Sequence, residues 1–322
     1  MAFGRTERCS CHNRNNMQRN IRAFSSRSDA TAATTSTVAT SASPITPRRW
    51  WALLICATIA GAGVYLLAVQ TAVGQAFENT ALRGADQVGA SAMDQANIAL
   101  GHITVWSLGI ATLVVGAIGL LRRQPALALA AVAVIVGGQV VTQSLKRYIL
   151  PRPELVPVSG SFTENSFPSG HTTIAMTVMV AIFLVVPYRV RGLAMMLTMG
   201  WAAGIGAYTI TAKWHRLSDT VGADLVALAL GCAAAVVLHH LGKLKRVEDR
   251  PKARLVVVVV MTLLTISALV LGTILASAAA TYSLHDPVIE WDVYLSAHAF
   301  SLSASWGVAL IFWWSWRGIE VG

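Results

Sequence analysis

Three short stretches hold side chains suited to moving a phosphoryl group. The first is Phe167-Pro168-Ser169-Gly170-His171. Proline is favoured in the first turn of a helix, where its missing N–H costs nothing, so Ser169 and Gly170 are expected to present free backbone N–H groups at a helix start. Such an end binds anions. Glycine lets an oxyanion approach the backbone closely, and His171 stands where it can give a proton to a leaving oxygen. Taken alone, the tetrapeptide also fits an ordinary interfacial helix start. The second stretch is Trp214-His215-Arg216-Leu217-Ser218-Asp219. With Ser218 as N-cap, His215 lies in the loop and Asp219 in the first helical turn. An Asp four residues after a His can accept the proton of Nδ1 and leave Nε2 free to attack, the orienting logic of a catalytic triad with His as nucleophile. Two interfacial polar residues that never meet would show the same spacing. The third stretch is Lys146, Arg147 and Arg152, followed by Pro153. Clustered cations suit a phosphate with up to two negative charges, Arg forking two oxygens and Lys acting as a point charge. Each cation singly is equally explained by snorkelling toward a membrane interface.

Positioning these side chains falls to a chain composed for a bilayer. Its 322 residues are 55% hydrophobic and 12% charged, half the roughly 25% charged residues of a soluble domain. Eight apolar runs reach the length of about 20 residues needed to cross as helices: roughly 50–72, 101–121, 126–145, 168–187, 193–212, 219–240, 255–279 and 297–316. The expected fold is an all-α polytopic transmembrane bundle of about eight spans. Clusters at Arg48–Arg49, Arg122–Arg123, Arg189 with Arg191, and Lys243 through Arg254 fall on one side if the spans alternate. By the positive-inside rule that side and both termini are cytoplasmic. The opposite side then holds 73–100, 146–167, 213–218 and 280–296. Lys146, Arg147, Arg152, Lys213 and Arg216 stand there against the charge bias, beside His171, His215 and Asp219.

The remainder is less chemical. Residues 1–47 are polar and rich in Ser, Thr and Arg, and are expected to form a disordered basic cytoplasmic tail. Cys9, Cys11 and His12 lack a second ligand pair for a zinc site, while Cys56 and Cys232 read as small buried hydrophobes. No basic stripe on a soluble domain suggests nucleic acid. Gly200 and Gly204 are spaced for close helix packing. Asp224, costly if it faces lipid, is expected to face the bundle, toward Lys213 or Lys146. The acids of 73–100 and 280–296 read as solvated loop residues, with an interfacial helix open for the former.

In order and spacing, these motifs resemble the type-2 phosphatidic acid phosphatase family, related to vanadium haloperoxidases, over roughly residues 100–240. The family's motifs are Lys-x6-Arg-Pro, Pro-Ser-Gly-His and Ser-Arg-x5-His-x3-Asp. The second is intact at Pro168–His171, and the third keeps His215 and Asp219. Two departures stand out: five residues, not six, separate Lys146 from Arg152, and Tyr208-Thr209 replaces Ser-Arg. Lys213 or Arg216 then has to supply the missing cation at Thr209, and Arg147 is a substitute for Lys146. The resemblance implies a lipid phosphatase working through a phosphohistidine on His215, oriented by Asp219, with His171 as general acid. Lys146, Arg152 and the backbone of Ser169 and Gly170 would bind the phosphoryl oxygens. No metal or cofactor is implied. The expected partner is a lipid phosphate, such as phosphatidate, phosphatidylglycerol phosphate or a polyprenyl phosphate or pyrophosphate, met at the non-cytoplasmic face. A lipid phosphotransferase using the same phosphohistidine, and a degenerate membrane scaffold or transporter, are the alternatives. The organisation expected is a tail (1–47), a first span with outer loop (48–100), a phosphatase-like core (101–240) and a basic loop with two final spans (241–322).

Overall fold

The computed structural model describes residues 45–158, 164–247 and 252–322. The tail through residue 44, with Cys9, Cys11 and His12, lies outside the described residues. Residues Ile45–Gly322 form one compact unit. Among the described residues ten α-helices build it: α1 (Arg48–Val64), α2 (Ala72–Gly84), α3 (Ala90–Gly101), α4 (Val105–Leu121), α5 (Pro125–Ser144), α6 (Gly170–Val185), α7 (Arg191–Thr211), α8 (Leu217–His240), α9 (Lys252–Ala278) and α10 (Pro287–Ser315). Single π-helical turns extend α1 to Val69 and α5 to Ile149. Two three-residue strands, β1 (Leu244–Arg246) and β2 (Ile319–Val321), pair antiparallel.

Six helices are long and apolar enough to cross a membrane, or seven if α3 and α4, bent by 56° at their junction, count as one span. Eight were expected, and the differences have local causes. Helix α6 has 16 residues, short of the roughly 20 a bilayer requires. Most of it is buried inside the bundle against α5, α7 and α8. Helix α10 starts ten residues before the apolar run does, at Pro287, where the Asp286 side chain caps Val288 N–H at 2.9 Å. Its early acids therefore lie on a helix rather than in a solvated loop, and Glu290 pairs with Arg83 on α2. Residues 73–100 are likewise helical, as α2 and α3 with a 3-10 turn between them.

Helix α2 touches α10 so closely at Gly84 that a Cβ there would lie 2.0 Å from the Glu290 carbonyl oxygen. Six residues before Gly84 on α2, Glu78 accepts from Ser218 N–H at the start of α8 at 2.9 Å. Gly200 and Gly204, by contrast, face open space rather than a neighbouring helix, and Trp201 between them is 43% exposed. That face of α7 is therefore not a packing seam. Asp224 faces the bundle, but its partner is Ser305 Oγ on α10 at 2.9 Å, not a lysine.

The basic clusters gather at one end. Arg122 pairs with Glu320 beside β2, Arg191 donates to Ile319 O at 3.0 Å, and Lys245 lies opposite Glu320 in the strand pair. The 24 residues of α8 separate this end from His215, about 36 Å at 1.5 Å per residue.

Candidate active site

The three stretches converge at the opposite end. Helix α7 stops in a Schellman arrangement: Lys213 N–H bonds Ile210 O at 3.0 Å and Trp214 N–H bonds Thr209 O at 2.9 Å. Lys213 occupies the left-handed position usually held by glycine, with φ 60°. His215 N–H also reaches Thr209 O, at 3.1 Å. The position that lacks the family's arginine thus anchors the His215 backbone through its carbonyl. The Thr209 side chain is buried, donating to Gly206 O at 2.7 Å.

Helix α8 begins two residues earlier than the Ser218 cap would place it. Arg216 is its N-cap and Asp219 is N3. Asp219 Oδ2 accepts from Arg216 N–H at 2.9 Å and from Ser166 Oγ at 2.5 Å, and lies 3.3 Å from His215 Nδ1. Asp219 is fully buried and His215 is 7% exposed, so the pair is held by several bonds and shielded from bulk water.

Pro168 does not enter the first turn of α6. Its peptide bond from Phe167 is cis, and Ser169 is the N-cap, its Oγ accepting from Thr172 N–H at 3.3 Å. Nor is the Ser169 N–H free, because it donates to Asp219 O at 2.9 Å. The first-turn N–H groups after the cap are those without intrahelical partners. Phe167 seats the loop on α8, where a Cβ on Gly222 would meet its ring at 2.6 Å. His171 then stands with its ring centroid 6.1 Å from that of His215 and 5.1 Å from Trp214, edge-on to the indole.

A polar cavity of about 350 Å³ opens here, lined by Lys146, Ser166, Lys213, Trp214, His215 and Arg216 among others. Asn165 holds its rim, its amide bonding Lys146 O at 2.9 Å and Leu150 O at 2.6 Å. Of the five candidate cations, Lys146, Lys213 and Arg216 line the cavity. Lys213 also pairs with Asp86 at 2.5 Å, and Arg216 bonds Ser166 Oγ at 3.3 Å. Arg147 is exposed and lines no part of the cavity. Arg152 lies behind the cavity, paired with Glu78 on α2 at 3.1 Å.

Glu78 is the residue that sequence reasoning missed. It is buried, and its other oxygen accepts from Ser218 N–H at 2.9 Å, tying α2 to the start of α8. Burial, and next the charge of Asp219, hold its carboxyl above the ordinary carboxylate range, with Arg152 and Ser218 pulling against them. Burial, then the charge of Arg152, lowers the Arg216 guanidinium from its usual value, opposed by Asp219 and Glu78. One turn before Glu78, Gln75 bonds Pro153 O at 2.7 Å and Leu155 N–H at 3.1 Å, holding the loop that carries Arg152. Ser166 and Asn165 were also missed. They stand just outside the Pro-Ser-Gly-His motif, as common polar loop residues.

Beside the polar cavity lies an apolar one of about 460 Å³ between α1, α5 and α8, with Tyr65, Leu145, Phe167, Pro168 and Leu225 in its wall. Among the described residues no group of three or more His, Cys, Asp or Glu is placed to hold a metal ion.

Residues 126–245 match the model of the PAP2 superfamily, a phosphatase-type superfamily. No curated protein and no solved structure matches the chain. The matched segment runs from α5 to β1 and carries Lys146, Arg152, Ser169, His171, His215 and Asp219, whereas Glu78 and Gln75 lie before it. Over that segment the chain is similar to the PAP2 superfamily.

Proposed function

We propose that the chain is a membrane-embedded lipid phosphatase with its site at the non-cytoplasmic face. The observation that carries this reading is the His215–Asp219 pair facing a cavity that Lys146 and Arg216 line, with His171 across from it. Asp219 holds the Nδ1 proton of His215, so Nε2 attacks the phosphorus. The P–O bond to the lipid alcohol breaks and the leaving oxygen takes a proton from His171. Water then attacks the phosphohistidine, giving a proton back to His171, and the P–N bond breaks to release inorganic phosphate. Lys146 and Arg216 stabilise the charge that builds on the phosphoryl oxygens. Arg216 takes the part of the cation missing at Thr209, and Lys213 and the backbone at Gly170 assist.

The amphiphilic substrate is supported by the apolar cavity beside the polar one: a phosphate enters the loops while its acyl or prenyl tail stays between α1, α5 and α8. The test is phosphate release from phosphatidate, phosphatidylglycerol phosphate, polyprenyl pyrophosphate and a soluble phosphomonoester, with His215→Ala as control. Release from a lipid, its loss in the variant and little release from the soluble ester are expected. Equal turnover of the soluble ester would remove the lipid part of the reading.

A further inference from the structure

A further groove, apolar along its length, lies at the other end of the bundle. It measures about 730 Å³ and runs along the seam between α9 and α10. Leu255, Val258 and Thr262 line it from α9, and Gly307, Leu310 and Ile311 from α10. The spacings are those of one face on each helix. From Arg254 to Thr262 the trough is eight residues deep, roughly 12 Å at 1.5 Å per residue, enough for a substantial part of an acyl chain.

Its mouth is cationic. Arg254 and Arg317 both line the groove. Arg254 lies 5.2 Å from the Trp313 ring centroid and donates to Tyr188 Oη at 2.7 Å, and Arg317 lies 4.5 Å from the Trp314 ring centroid. Stacking on fixed rings orders both guanidinium groups. Among the described residues, neither has a carboxylate within ion-pair distance. Among the described residues, the nearby Glu320 is taken by Arg122 and the Tyr188 N–H.

We infer that this groove binds one anionic phospholipid of the leaflet at the basic end, its acyl chain in the α9–α10 seam and its phosphodiester between Arg254 and Arg317. An apolar trough ending in paired arginines matches a headgroup with a net negative charge. A zwitterionic lipid carries its own cation and gains less from that mouth. The inference does not depend on the activity proposed for the opposite end.

The test uses the purified full chain in detergent micelles, titrated with dioleoyl phosphatidylglycerol or dioleoyl phosphatidylcholine while the unfolding midpoint is followed. A lipid that binds only the folded chain raises the midpoint. The phosphatidylglycerol response should half-saturate at roughly thirtyfold lower concentration than the phosphatidylcholine response, the advantage of two near-surface arginines. Arg254→Gln with Arg317→Gln should abolish that preference. If the double variant does not fold because Tyr188 loses its partner, Arg317→Gln alone should cut the preference about fivefold. Gly307→Leu keeps both charges and fills the trough; its Cβ would meet Thr265 Cγ2 at 3.7 Å, an ordinary contact, and it should blunt the response to both lipids. Equal responses to the two lipids, or a preference that survives loss of the arginines, would overturn the assignment. So would a midpoint rise with inorganic phosphate alone that matches phosphatidylglycerol.

Discussion

Replacing Glu78 separates its two tasks. Glu78→Ala removes the carboxylate 3.1 Å from Arg152 and the acceptor 2.9 Å from Ser218 N–H at once. The two paired side chains are 4% and 3% exposed, so the guanidinium would be left buried without its counter-charge. Breaking such a pair costs about 3–5 kcal/mol. The lower end applies because Asp219 repels the same carboxylate and would compensate part of the exposed charge. A loss of about 3 kcal/mol, more than a hundredfold in the folding equilibrium, is expected. Glu78→Gln also removes the counter-charge of Arg152 but keeps an acceptor for the Ser218 N–H, so its penalty should be smaller than that of Ala by about 1 kcal/mol. The pH dependence has a definite sign. The folded-state pKa of Glu78 is raised, so the protonated form favours the fold. That contribution is complete below the ordinary glutamate range and is lost as pH rises through the raised value. Neither variant titrates at this position, so the Ala and Gln penalties should both grow by the same amount as pH falls across that window. Denaturant unfolding in detergent measures both, with kcat/KM on a lipid phosphate alongside, where Ala should lose far more than Gln. An Ala penalty below about 1 kcal/mol would refute the claim that Glu78 anchors Arg152, and one equal to that of Gln would refute the part given to the Ser218 acceptor.

Other perturbations test the neighbouring contacts. Asp219→Asn leaves the size unchanged but reverses the hydrogen-bond role at His215 Nδ1, and a fall in kcat on the order of 10⁴-fold is expected from a wrongly oriented imidazole; retention of a tenth of the rate would contradict the pairing. Lys213→Gly relieves a left-handed backbone worth about 1–2 kcal/mol while losing an ion pair with the half-exposed Asp86 worth about 0–1 kcal/mol. The variant should unfold at an equal or higher midpoint yet turn over more slowly, and a lower midpoint would count against that balance. Incubation with EDTA should leave lipid phosphatase activity intact; inactivation restored by a divalent ion would sink the metal-free mechanism.

The chemistry was legible because it is local. Pro168 to His171, and His215 to Asp219, each fit within one turn of chain, and their order survives any uncertainty in the spans. What supports them was not legible. Glu78 read as a solvated loop acid, and its partner Arg152 stands 74 positions further along the chain, a distance over which spacing carries no signal. Cap assignments slipped by one or two residues. Arg216 starts α8 because the Asp219 carboxylate reaches back to its N–H, and Ser169 rather than Pro168 starts α6. Apolar length alone misplaced several helix bounds. Helix α6 is apolar because protein surrounds it, and the early acids of α10 hid a helix whose polar groups find partners inside the fold. Gly200 and Gly204 carried a packing signal that nothing meets.

The central claim is that His215 carries the phosphoryl group. The direct measurement is to mix the purified chain with a lipid phosphate labelled with ³²P, quench in alkali within the first turnovers, and map the labelled peptide. Label on the peptide containing His215, absent from His215→Ala and prolonged in His171→Ala, is the predicted result. Phosphate release by the native chain with no trapped label at any quench time, or release that persists in His215→Ala, would contradict it.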